Sequence, residues 1–396
     1  MRLGCAASIM LRMLAFVVVL VLLICVAAAV GALGWYSSSR LKASGLAARR
    51  EPPVFDLAVV ALTADTVTLE RAANKGREGL GAGVRVLGLA WEGGYGRLGA
   101  LLDSTDTSVT REFELLEGML AVATRARVDT FTFPGNPLRA FGLPFEEVVI
   151  HGPLGEMPAW FVDAPESDCP APWAILVHGQ GTDRRELLRQ LPAIHAAGLK
   201  ALLVTFRNDE GAPPSADGNY HYGATEWEDI EAAAAHAIEY GAERLLLVGQ
   251  SMGGGIVMSF LYHSPLAEHV RAVLLDSPML DFRATVRSRA PRAPAIVVRF
   301  GMWVAGLRFG YDWRELDYLR RAPQLSVPIL VFHGDADTRV PVSTSEALAK
   351  TRPDIVSLVR MQGIGHVRGW NAGPEAYEAK VREFLAAHFG SPEARP

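Results

Sequence analysis

The string Gly249-Gln250-Ser251-Met252-Gly253 follows directly on the apolar run Leu245-Leu246-Leu247-Val248, and helix-compatible residues follow it. A serine hydroxyl is a weak nucleophile at neutral pH and needs exposure and an adjacent base. A sharp strand-to-helix turn projects such a serine above a sheet edge, and glycines at 249 and 253 let neighbouring backbone approach. Gly254 and Gly255 extend the uncrowded turn. An acid and then a histidine are expected downstream. Two acids compete in His333-Gly334-Asp335-Ala336-Asp337-Thr338-Arg339-Val340-Pro341, just past an apolar run. Asp337 is preferred because it lies further into the loop and can reach over the sheet. Asp335 stands as the alternative acid, or as a brace of that loop. The expected base is His366 in Gly363-Ile364-Gly365-His366, after a strand-like stretch at 357–361 and before the final helix. His333 opens the acid loop and His388 lies inside that helix, so both read as packing or surface residues. Charge developing on a carbonyl oxygen needs donors aimed at it. The backbone amides of Gln180 and Met252 are the expected donors, the former in His178-Gly179-Gln180-Gly181 after Ile175-Leu176-Val177. His178 ends a strand and reads as a brace. The chemistry implied is acyl transfer to Ser251, with His366 moving the proton and Asp337 holding the imidazole tautomer.

Short apolar runs alternate with helical stretches around these loops. The runs cover 173–177, 199–206, 245–248, 270–275 and 329–332, and none has a polar face, as expected of strands covered on both sides. Helices are expected at 184–195, 225–240, 254–262, 343–350 and 374–389. A hairpin is expected ahead of them, at 147–150 and 158–162 around His151-Gly152-Pro153. Such alternation argues a mostly parallel sheet with right-handed crossovers. Residues 55–145 form a separate small region. Strand-like 55–62 and 66–69 are followed there by Gly76, Gly79, Gly81, Gly83, Gly93, Gly94, Gly96 and Gly99. Phosphate cradling would need a glycine fingerprint at a strand-to-helix junction. Neither a GxGxxG nor a GxxxxGK(S/T) fingerprint is read at such a junction, so the glycines read as turns of a β-rich domain.

The strings His178-Gly179-Gln180-Gly181, Gly249-Gln250-Ser251-Met252-Gly253, Asp276-Ser277-Pro278, His333-Gly334-Asp335-Ala336-Asp337 and Gly365-His366 together resemble the α/β-hydrolase family. The likeness is to Bem46-like membrane-associated serine hydrolases and to prolyl-oligopeptidase-type catalytic domains. It covers about residues 146–390, so 55–145 fall outside it. It implies the α/β-hydrolase fold, with the family's acid landing on Asp337 and its histidine on His366.

Residues 13–35 carry no charge, and 23 residues at about 1.5 Å rise span a hydrocarbon layer of about 30 Å. Trp35 and Tyr36 fall where interfacial aromatics sit. A membrane anchor is preferred to a cleaved export signal, whose apolar core is shorter, although Ala27-Ala28-Ala29 would suit a peptidase. Arg2 and Arg12 precede the span and Arg40, Lys42, Arg49 and Arg50 follow it, so charge leaves orientation open; an extracytoplasmic body is preferred. The expected organisation is a basic segment at 1–12, a transmembrane helix at 13–36 and a linker at 37–54. The small domain at 55–145 follows, then the hydrolase domain at 146–390 with a cap at 277–327, and a tail at 391–396.

The 396 residues carry 39 basic and 43 acidic side chains, a balance that argues against nucleic acid as a partner. The three cysteines, Cys5, Cys25 and Cys169, form no CxxC pair, and the ten histidines no HExxH. Nothing requires a metal, nicotinamide or flavin. The expected insertion holds Ile296-Val297-Val298, Phe300, Met302, Trp303, Val304, Leu307 and Phe309, read as the lining of an acyl pocket. Between 281 and 321 it also has nine arginines against four acids, read either as a solvated basic cap or as groups that meet lipid headgroups or an anionic substrate. Those residues favour a carboxylesterase or lipase-like esterase acting on a small ester or lipid-like substrate. A serine peptidase is the rival enzyme, and a non-catalytic membrane scaffold the alternative of another class.

Overall fold

A computed structural model describes residues 2–48, 52–71, 80, 83–165 and 171–390. Arg49, Arg50, Gly76, Gly79, Gly81 and Cys169 lie outside the described residues. Helix α1 is Arg2–Leu41. Six strands follow: β1 Leu57–Leu62, β2 Thr66–Arg71, β3 Leu87–Trp91, β4 Gly94–Ser104, β5 Ser108–Glu117 and β6 Arg125–Asp129. Next come α2 Pro137–Phe141, β7 Glu146–Gly152, β8 Gly155–Val162, β9 Trp173–Val177, α3 Leu191–Ala196 and β10 Lys200–Val204. The chain continues through α4 Trp227–Glu239, β11 Leu245–Gln250, α5 Met252–His263, β12 Val270–Asp276, α6 Phe282–Arg289 and α7 Ala295–Phe309. It closes with β13 Ile329–Gly334, α8 Ser343–Thr351, β14 Val356–Met361, α9 Gly369–Ala372 and α10 Pro374–Phe389. These elements fall into two compact units, Met1–Ala47 with Ala290–Trp313, and Ala48–Arg289 with Arg314–Pro396.

Strands β1–β6 close into a barrel in the order β1-β2-β5-β4-β3-β6. Period-2 alternation turns Leu57, Val59, Val67, Leu69, Leu87, Leu89, Leu98 and Phe113 to the inside. Arg111 is also fully buried, but its guanidinium donates to the carbonyls of Gly99, Leu80 and Val84 at 2.6, 3.1 and 2.6 Å. A buried cation is tolerated where backbone dipoles replace its water. Gly94, Gly96 and Gly99 have dinucleotide-fingerprint spacing yet all lie within β4, an antiparallel strand. There the glycines make room: a Cβ on Gly96 would meet the Phe113 ring at 2.3 Å.

The second sheet runs β14-β13-β12-β11-β9-β10-β8-β7. Strands β14 to β10 in that order are parallel, and the β7–β8 hairpin adds antiparallel to β10. All five residues of β9 and all six of β11 and β13 are buried, because helices cover both faces. On one face Tyr377, Val381, Leu385 and Phe389 of α10 join Leu330 and Phe332 in the core. The barrel is fastened to this domain through Asn371, which is fully buried. Its carbonyl accepts from the Arg85 and Val86 amides at 2.8 and 3.0 Å, and its Nδ2 donates to Thr132 Oγ1 at 2.8 Å.

In the other unit α1 continues to Leu41, and a wider turn carries the chain to Leu46, so the expected linker is helical in its first part. Ser38 and Ser44 hydroxyls bond the carbonyls of Trp35 and Arg40 at 3.0 and 2.8 Å, which keeps polar residues within helical geometry. The expected cap at 277–327 is not one piece. Its apolar run forms α7, and the partner of α7 is α1. A Cβ on Gly34 would meet Phe300 and Val304 at 2.9 Å, and one on Gly301 would meet Ser37 at 2.7 Å. Small residues bring the two helices together, as in apolar helix pairs. Arg308 lies over the Trp35 ring at 3.5 Å and donates to the Trp35 carbonyl at 3.1 Å. Gly301, Met302 and Ala305 of α7 are buried, whereas Ile296, Trp303 and Leu307 stay exposed.

Candidate active site

The turn between β11 and α5 forces Ser251 to φ 51°, ψ −114°, a strained region for a residue with a side chain. Glycines make that geometry possible. A Cβ on Gly249 would meet the Gly253 carbonyl at 2.7 Å, and one on Gly253 would meet the Val177 carbonyl at 2.2 Å. The Ser251 amide donates to the Asp276 carbonyl at 3.0 Å, and the Met279 amide to the Ser251 carbonyl at 2.9 Å. The strained turn is thus held from β12 and the loop after it.

Ser251, His366 and Asp337 meet although 115 and 29 residues separate the pairs. His366 Nε2 lies 2.8 Å from Ser251 Oγ, and His366 Nδ1 lies 2.6 Å from Asp337 Oδ2. Asp337 Oδ1 accepts from the amides of Arg339 and Val340 at 2.7 and 2.9 Å. Burial acts to raise the Asp337 pKa, but hydrogen bonds from His333 and His366 outweigh it and hold the carboxyl well below its usual range. Asp335 is directed elsewhere: its carboxylate accepts from the Gly363 amide at 2.7 Å, tying the acid loop to the histidine loop. His333 is buried, with Nδ1 2.7 Å from Ser345 Oγ and Nε2 3.1 Å from the Val340 carbonyl. His388 sits in the last turn of α10.

The loop after β9 reaches the same place. A Cβ on Gly179 would lie 3.2 Å from the Ser251 Cβ, so Gln180 stands beside the nucleophile. Met252 opens α5, where an amide has no intrahelical acceptor. The Gln180 loop thus comes beside the serine turn, and Met252 follows the serine directly at the start of α5. His178 is fully buried, with Nε2 2.7 Å from Asp209 Oδ2 and Nδ1 2.9 Å from the Gly179 carbonyl. Burial acts to lower its pKa, but the Asp209 charge and hydrogen bond overcome this and raise it.

Several positioning residues escaped sequence reasoning. Glu186 accepts from the Gly179 amide at 2.7 Å and from Thr182 Oγ1 at 2.9 Å. Tyr222 Oη donates to Gln180 Oε1 at 2.8 Å. Ser277 Oγ accepts from the Val367 amide at 3.1 Å, next to His366. Arg189, 1% exposed, donates to Gln250 Oε1 at 3.1 Å, the Val367 carbonyl at 3.1 Å and Asn371 Oδ1 at 2.7 Å. It thus links the neighbours of Ser251 and His366 to the residue that fastens the barrel. Ser277 lay in the string Asp276-Ser277-Pro278; for the others the only sequence signal was polarity in or beside an apolar run, which specifies no partner. Among the described residues no cluster of three or more histidine, cysteine or acidic side chains has the geometry to hold a metal ion.

This sheet with its glycine-flanked serine turn has the α/β-hydrolase fold. Comparison with known proteins agrees: residues 214–392 match the prolyl oligopeptidase family. The Pyrococcus furiosus esterase Pf2001 superposes with TM-score 0.51 at 18% identity, over 65% of this chain and 98% of that one, which establishes the shared fold. An uncharacterized Mycobacterium tuberculosis protein is 26% identical over 203 residues, 49% of this chain and 63% of its own length. The uncharacterized protein YfhR of Salmonella typhimurium is 27% identical over 121 residues, 28% of this chain and 37% of its own. The chain thus spans less than two thirds of the length of these curated relatives.

Proposed function

We propose that the chain hydrolyses carboxylic esters through an acyl-enzyme formed on Ser251. The observation that carries this reading is the hydrogen-bonded series Ser251 Oγ, His366 Nε2, His366 Nδ1 and Asp337 Oδ2, at 2.8 and 2.6 Å. Ser251 attacks the ester carbonyl while His366 takes its proton, and the carbonyl oxygen becomes an oxyanion facing the amides of Gln180 and Met252. Collapse expels the alcohol, which receives the proton from His366, and water then releases the acid by the same route in reverse. Asp337, held ionised, stabilises the imidazolium. Esters are favoured on leaving-group chemistry, since an alcohol departs more readily than an amine.

A second reading, a serine peptidase, is supported by the match of residues 214–392 to the prolyl oligopeptidase family. Purified full-length protein assayed on esters of graded acyl length and on aminoacyl-proline amides separates the two. Efficient amide cleavage with a flat, low ester profile overturns the ester reading. Retention of activity by Ser251→Ala overturns the acyl-enzyme.

We further propose that α1 anchors the chain in a lipid bilayer. Its most apolar window of 18 residues has mean hydropathy 3.3, and none of that window is buried within the protein. Detergent, and not high salt or carbonate, is then required to release the intact chain. A soluble mature protein with a new N-terminus after Ala27 identifies a cleaved signal instead.

A further inference from the structure

Three arginines hang from the loops that form the candidate active site. Arg339 lies two residues beyond Asp337, and its amide donates to the Asp337 carboxylate at 2.7 Å. Arg368 lies two residues beyond His366, where it precedes α9. Arg289 ends α6 and donates through Nε to the Arg339 carbonyl at 3.3 Å. The α6 end is held to the same segment by Ser288 Oγ, 3.5 Å from the Thr338 carbonyl. Arg289 also acts on the hydroxyl of Tyr222, which donates to Gln180 beside Ser251.

Among the described residues none of these three guanidiniums forms an ion pair. The acids nearest the centre are already engaged. Glu186 holds the Gly179 amide and Thr182, and Asp276 accepts from Ser277 and Tyr377 at 3.2 Å. Asp337 is bonded to His366. Burial, then repulsion from Arg189, pulls the Arg368 pKa down to about 10, with Arg339 adding to that repulsion and Glu186 and Asp276 offsetting part of it. Keeping like charges close together costs free energy that an anion between them returns. A guanidinium offers the planar pair of donors that a carboxylate or phosphate accepts.

We propose that Arg289, Arg339 and Arg368 form an anion-binding rim on the candidate active site, selecting an ester that carries a carboxylate or phosphate near its scissile bond. The proposal rests on Ser251 being the nucleophile and deepens that reading by naming the charge of the substrate. Fixed cations at a cleft mouth concentrate anions and speed their capture. They also discriminate against a neutral ester of the same shape.

The test uses the full-length protein in neutral detergent and three fluorophosphonate probes of equal length, ending in a carboxylate, a phosphate or a neutral amide. Second-order rate constants for labelling Ser251 are measured for each. An anionic tail is expected to speed labelling at least about tenfold over the amide tail, with the gap closing at about 0.5 M salt. Arg339→Gln with Arg368→Gln should bring the ratio close to one, while Arg339→Lys keeps part of it. Arg382→Gln, on the exposed face of α10, should leave the ratio unchanged. The faster of the two anionic probes identifies the ligand as carboxylate or phosphate, and either outcome supports the rim. Equal labelling by all three probes in the wild type overturns the proposal. So does a ratio that survives the paired arginine replacement in a folded variant. Failure of every probe to label removes the serine nucleophile and both readings with it, a pattern distinct from a flat ratio.

Discussion

Replacing Arg189 tests whether the serine turn, the histidine loop and the barrel are held as one unit. The guanidinium donates to Asn371 Oδ1, the Val367 carbonyl and Gln250 Oε1, and the residue is 1% exposed. Arg189→Met nearly conserves volume but leaves these acceptors without that donor, in a place water reaches poorly. Each orphaned buried acceptor costs about 1–3 kcal/mol. Removing the cation also recovers its own desolvation cost, and neighbouring losses are not additive, so we expect about 3 kcal/mol. With a urea slope of about 3 kcal/mol/M, the upper end of the usual range, the midpoint falls by about 1 M. The measurement is a urea titration of the full chain in detergent, followed by tryptophan fluorescence. Phosphonate labelling of Ser251 should slow in the folded variant as well, since Gln250 precedes the nucleophile and Val367 follows the base. A midpoint within about 0.2 M of wild type at an unchanged slope refutes the reasoning. It would mean that the acceptors find other donors.

Asp337→Asn should lower ester turnover by several orders of magnitude, since it favours the wrong imidazole tautomer; Asp335→Asn should cost far less, and the reverse order in folded variants would show that the loop assignment is wrong. Asp209→Asn removes the charge beside His178, whose pKa is raised in the folded state. That contribution is fully present below about pH 6.5, the unfolded histidine value, and is lost as pH rises through the raised folded value. The destabilisation measured by thermal melts should therefore be greatest near pH 5 and shrink in alkali, and a pH-independent loss contradicts it. Gly301→Leu places a side chain where even a Cβ would lie 2.7 Å from Ser37, so it should part α7 from α1 and speed proteolysis within 290–313. Unchanged cleavage there would show that the helices separate without consequence.

Local chemistry was enough to nominate Ser251, Asp337, His366 and the two amides. Each belongs to a short string whose glycines, apolar strand and turn are adjacent in the chain. Strand positions were legible for the same reason, since a strand buried on both faces is a continuous apolar run wherever it lies. The small domain read as β-rich from its alternation and glycines. Its closure into a barrel depends on which strands exchange hydrogen bonds, such as β1 with β6, and periodicity carries no such information. Hydropathy marked residues 295–309 as apolar but not what covers them. The small residues at Gly34 and Gly301 decide that, and they become meaningful only once α1 and α7 are side by side. Asp335 and Asp337 were equal in composition, and only the path of the loop turned one toward Gly363 and the other toward His366. Arg189 is 182 residues from Asn371 and 61 from Gln250, so no local pattern could announce their meeting. A buried polar group must find its partners wherever the fold brings them, which is why the fold settled the framework around the site while the sequence nominated the groups within it.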